Sequence, residues 1–70
     1  MEKTKIMFKA ESDIAGNNDW IEEVSTEEEF DAVIERETKH YKDLGRLDHS
    51  LTVTASVVKD GNVVYFNQIA

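Results

Sequence analysis

STEEEFDAVIERETKHYKDLG, residues 25–45, is the stretch on which the fold turns. Its opening, Ser25-Thr26-Glu27-Glu28, has the form of a capping box. The Ser25 hydroxyl would meet a first-turn N–H, and Glu28 would reach back to the chain before the helix. Glu27, Glu28 and Glu29 then stand at the positive end of a helix dipole, and Lys39, His40 and Lys42 at its negative end. Phe30, Val33, Ile34, Tyr41 and Leu44 recur at helical spacing on one face. The pattern predicts a helix from about Thr26 to Leu44, ended by Gly45 in the left-handed conformation that suits a helix C-terminus.

Downstream, Leu51 to Val58 alternates apolar and hydroxyl side chains, as a strand buried on one face does. Asp60-Gly61 tolerates positive φ at both positions and predicts a hairpin turn, after which Val63 to Ile69 returns. A two-residue turn pairs Val57 with Val64 and Ala55 with Phe66. That register sends Leu51, Val53, Ala55, Val57, Val64 and Phe66 towards the helix. A three-residue turn with a glycine bulge shifts it by one and exchanges Tyr65 for Phe66 in the core; the first is the expected register. Upstream, Thr4 to Ala10 reads as a strand with Ile6 and Phe8 on one face, and Glu11 to Asp19 as a polar loop turning at Gly16-Asn17-Asn18. Trp20 to Ser25 reads as a strand antiparallel to the first, with Trp20 and Val24 inward and Glu22 or Glu23 near Lys5 or Lys9, or else as a short helical turn. The expectation is one α+β domain over residues 1–70. Its architecture is ββαββ, a single helix on a small antiparallel sheet, with βαββ as the alternative.

Seventy residues support a thin core, which small domains commonly reinforce with disulfides, a metal or a partner subunit. The chain has no cysteine, which removes disulfides and thiolate metal sites and agrees with a reducing cytoplasm, the compartment expected. Neither a signal-peptide-like apolar stretch near the start nor a run of about 20 apolar residues occurs, so no membrane association is expected. With 40% hydrophobic and 33% charged residues, the composition is that of a globular chain.

Enzyme motifs are missing. The sequence has no glycine-rich phosphate loop, no nucleophile elbow and no His–Cys pair, and His40 and His49 lack metal-ligand spacing. A helix on one thin sheet is expected to leave little room for a cavity of a few hundred Å³. Neither catalysis nor a cofactor nor a metal is expected.

Charge is the strongest signal. The net charge is −7, divided as +2 in residues 1–10, −10 in residues 11–37 and +1 in residues 38–70. Six acids and one base between Glu27 and Glu37 leave −5 over about 16 Å of helix. That is about one charge per 3 Å, close to the roughly 3.4 Å spacing along one nucleic-acid strand. Such a face would suit a basic groove on a larger protein. The plainer reading is that first-turn glutamates stabilise any helix and that Glu35–Lys39 is an i,i+4 ion pair. Glu37 falls by phase among the apolar residues, where a carboxylate must pair, here expectedly with a sheet lysine, or reach an edge.

The second candidate surface is the sheet face away from the helix, where the expected register displays Val58, Val63, Tyr65 and Ile69. This is more apolar than a solvated face requires and suggests an assembly protein or a homodimer through the sheet or its edge strand. Direct binding of nucleic acid is not expected, because one displayed aromatic, Tyr65, is a poor stacking platform and the net charge repels phosphate.

In size, acidity, absence of motifs and single-helix pattern, the chain resembles the small inhibitors that phages and mobile elements encode against bacterial defences, anti-CRISPR proteins among them. The resemblance spans the whole chain in general character and transfers no individual residue. It implies a non-enzymatic inhibitor of a larger partner with a basic surface. Glu22, Glu23, Glu27, Glu28, Asp31 and Glu35 would then act as phosphate-like contacts.

Overall fold

The structure, a computed structural model, describes residues 3–70. Strand β1 (Thr4–Ser12) and strand β2 (Gly16–Val24) form a hairpin, helix α1 (Glu27–Gly45) follows, and β3 (Thr52–Lys59) and β4 (Asn62–Gln68) form a second hairpin. The sheet order is β2-β1-β3-β4, with every neighbouring pair antiparallel. The chain is thus α+β with the ββαββ order. Its two hairpins meet along β1 and β3, and β2 and β4 form the edges.

The first hairpin is longer than the sequence pattern suggests. Glu11 and Asn17–Asp19, expected in a loop, are paired strand residues, and the ladder closes at Ser12↔Gly16. Gly16 stands at the head of β2 with φ 82°, a conformation that glycine adopts without strain. Phe8 lies opposite Trp20, and their rings stack at 5.2 Å on the helix side. Of the expected neighbours, Lys5 stands opposite Glu23 in the ladder, whereas Lys9 stands opposite Asp19 and forms its ion pair with Glu11 at 3.2 Å.

Helix α1 starts one residue later than the capping pattern suggests. Thr26 is the N-cap, and its hydroxyl oxygen accepts from the Glu29 N–H at 3.1 Å. The Glu29 carboxylate accepts from the Ser25 N–H at 3.0 Å. Ser25-Thr26 and Glu28-Glu29 offer two overlapping boxes, and the second is used. Gly45 is also corrected: it remains within the helix, and α1 ends through Arg46 in right-handed geometry, its N–H donating to Asp43 and Leu44 carbonyls.

The second hairpin turns at Asp60 (φ 52°) and Gly61 (φ 78°), with Lys59 opposite Asn62. Two successive positive φ values match the twist of the flanking strands. The register is nevertheless not the expected one. Val58 faces Val63 but Val57 faces Tyr65, so Val64 is an extra residue in β4, a bulge. From there on the faces exchange. Tyr65 turns towards the helix and meets Phe30 edge-to-face at 5.0 Å, while Phe66 and Val64, expected in the core, are exposed. Ile69, expected outside, is 2% exposed and held by Val53, whose carbonyl accepts its N–H at 2.9 Å.

The core comprises Ile6, Phe8, Ala10, Val24, Val53, Ala55, Val57 and Ile69. All but Val24 and Ile69 belong to the two central strands. Helix α1 covers it with Phe30, Val33, Ile34 and Tyr41, none fully buried, whereas Leu44 is exposed. No helix among the described residues is long and apolar enough to cross a membrane.

Candidate functional site

Two surfaces emerge, one on each side of the molecule. On the helix side, Glu27, Glu28, Asp31 and Glu35 are exposed. Among the described residues no cation lies within ion-pair distance of any of them, and the Glu35–Lys39 pair does not close. Arg36, the single base between Glu27 and Glu37, leans along the surface towards β2 instead. Its Nη2 donates to Glu22 Oε1 at 3.1 Å and to Glu37 Oε1 at 3.0 Å. The acidic stripe is therefore left uncompensated because its only arginine serves another purpose.

That purpose concerns Glu37. Its side chain is 13% exposed, as its phase predicts. The partner is Arg36 of its own helix rather than a sheet lysine, and the guanidinium is anchored in turn by Glu22 on β2. Tyr41, one turn on, has its phenol pushed above its ordinary value, first by burial and then by the Glu37 charge. These placements divide the six acids expected to act together. Glu22 is neutralised on the helix side of β2. Glu23 pairs across the ladder with Lys5, whose neighbour Ile6 faces the core, so both project from the opposite face. Glu27, Glu28, Asp31 and Glu35 remain as one stripe.

The open sheet face is the second surface, and the bulge changes its membership. Val58 and Val63 stand there as a cross-strand pair. Tyr65 and Ile69 do not: both lie on the helix side, for the register reason given above. Phe66 takes their place at 66% exposure. The pairings set Ile21, Met7, Ser56 and Phe66 side by side on β2, β1, β3 and β4, an apolar row broken only by a serine. Ile21 and Met7 are also exposed, and a shallow groove of about 630 Å³ runs over this row. Lys5 and Lys9 flank Met7 on β1, opposite Glu23 and Asp19 on β2. The apolar row could not be found by alternation alone, because Val63-Val64-Tyr65-Phe66 has no polar residue to fix its phase.

A second groove of about 560 Å³ lies below the end of α1, between Tyr41, Leu44, Leu47 and the Gly16–Asn18 stretch. Both grooves are open to solvent. In the second, Asp48 accepts hydrogen bonds from the hydroxyls of Ser12 and Ser50 and from the Ser50 N–H. The Ser50 hydroxyl oxygen in turn accepts from the Asp13 N–H at 3.0 Å. These bonds hold the Asp48 carboxyl below its usual range, the Ser12 bond most of all. They tie the loop before β3 to the turn of the first hairpin, and Asp48 is thereby occupied as a structural acceptor. His40 and His49 are exposed. No group of three or more His, Cys, Asp or Glu among the described residues could hold a metal ion. No family model, curated protein or solved structure matches the chain.

Proposed function

We propose that this chain is a non-enzymatic binding protein that modulates a larger protein by laying the exposed stripe of α1 against a basic surface. The observation that supports it is the engagement of Arg36 by Glu22 and Glu37, which leaves Glu27, Glu28, Asp31 and Glu35 without an ion-pair partner among the described residues. At about 1.5 Å per residue these four carboxylates span about 12 Å, or one charge per about 4 Å. That density resembles a single nucleic-acid strand and suits a groove built for phosphates. The fitting partner is a nucleic-acid-binding protein, and the action an inhibition by occupancy, as in anti-defence inhibitors of phages. Charge of this kind chiefly raises the association rate and confers strong salt dependence.

The test is a tagged pull-down from host lysate at low and high salt, repeated with Glu28→Lys, Asp31→Lys and Glu35→Lys combined. The expected result is a nucleic-acid-binding protein that elutes with salt, competes with its own nucleic acid and is lost with the triple variant. Circular dichroism of that variant should match the parent. Retention of the partner by a folded triple variant would refute the reading.

A further inference from the structure

We propose that the open sheet face is the interface of a homodimer, in which the sheets of two copies pack face to face and the helices lie outside. This surface is separate from the acidic stripe and its assignment does not depend on it.

Three observations point to a second copy of this chain as the occupant. The first is charge. A molecule carrying −7 repels itself wherever its acids are displayed. On the open face, however, Lys5 and Lys9 of β1 stand among Glu11, Glu23 and Asp19, with Lys9 paired to Glu11 at 3.2 Å, so these strand residues carry only −1. Strand β4 carries no charged residue from Asn62 to the end of the chain. Self-association through this face keeps the acidic helices farthest apart.

The second is area. A monomer of 8.0 kDa is expected to expose about 4,450 Å², whereas this chain exposes 5195 Å². The excess of about 750 Å² reflects the thin shape of the molecule, and a standard stable interface covers roughly 800 Å² per partner. The molecule measures only 15 Å along its shortest axis, one helix layer on one sheet layer. A second sheet packed about 10 Å away would convert an exposed face into a core.

The third is self-complementarity. A two-fold axis parallel to the strands places β2 of one copy over β4 of the other and β1 over β3. Ile21 then meets Phe66 of the partner subunit, and Met7 meets the small Ser56 of the partner subunit, twice over by symmetry. Asp19 and Glu23 lie over the uncharged strand. An axis perpendicular to the strands would instead stack the two β2 strands and their acids upon each other. The geometry therefore selects the strand-parallel arrangement.

Sedimentation equilibrium of the full chain across a wide concentration range tests the proposal. The expected mass reaches a plateau at twice 8.0 kDa and holds in high salt. Phe66→Glu introduces two buried charges per dimer and should weaken association by on the order of a hundredfold. Ile21→Lys should do the same and serves if Phe66→Glu misfolds. Leu47→Ser removes an even more exposed apolar residue elsewhere and should leave the mass unchanged. A monomer mass at every concentration would overturn the proposal. So would a mass that climbs without a plateau, or a dimer indifferent to both face substitutions.

Discussion

Tyr65 and Phe66 are adjacent aromatics with opposite fates, and exchanging their expected costs tests the bulge directly. Tyr65 lies against Phe30 on the helix side. Truncation to alanine should lose about 100 Å² of buried apolar surface, worth about 2.5 kcal/mol at roughly 25 cal/mol per Å². The lost edge-to-face pair adds about 0.5–1.5 kcal/mol. Phe66 is 66% exposed, so only about a third of its surface is removed from water. Phe66→Ala should therefore cost about 1 kcal/mol or less. Seventy residues at about 0.05–0.15 kcal/mol each carry a total stability of about 3.5–10 kcal/mol, so a gap of about 2 kcal/mol is easily resolved. The assay is urea unfolding followed by Trp20 fluorescence, in solution dilute enough that only the monomer contributes. Tyr65→Leu substitutes if the alanine variant does not fold. Equal costs, or a larger cost at Phe66, would mean that the hairpin keeps the unbulged register and the reasoning fails.

Two further outcomes follow from the polar clusters. Arg36→Ala should destabilise by about 1–2 kcal/mol, below the usual cost of breaking a buried pair because Arg36 is largely exposed. Most of that cost should vanish in a Glu37→Leu background, as a double-mutant cycle by urea unfolding would show; persistence would assign it to Glu22. Asp48 has a depressed pKa in the folded state, so its contribution is present above its unfolded value of about 3.9 and is lost as pH falls through the folded value. Asp48→Asn should lower Tm at neutral pH and flatten the acid limb below about pH 4, measured by thermal melts across pH.

How much of this was legible depends on how strongly each segment is constrained. Helix α1 stood out because capping, dipole charges and apolar spacing agree. Its first residue slipped because Ser25-Thr26 and Glu28-Glu29 duplicate the capping pair. The polar Glu11–Asp19 stretch concealed strand residues, since β2 is an edge whose turn-proximal half lies outside the core and need not alternate. The β3–β4 register was hidden for the opposite reason: Val63 to Phe66 are all apolar, and the single-residue insertion at Val64 leaves no trace in hydropathy. That insertion moved Tyr65 and Ile69 inward and Phe66 outward. The acidic stripe was visible as composition. Which acids remain unpaired was not, because the side chain of Arg36 could have turned either way.

The two hairpins and the helix are each closed by neighbours in sequence, whereas the seam from Met7↔Ser56 to Glu11↔Thr52 joins residues more than forty positions apart. Local pieces of this kind form in microseconds, but a seam across so long a connection must wait for a slow conformational search. Among the described residues, the same seam is the only ladder joining the two halves of the sheet. Until it closes, β1 and β3 each present an unpaired edge, so the folding chain is most exposed to wrong pairing at its centre rather than at its finished rim.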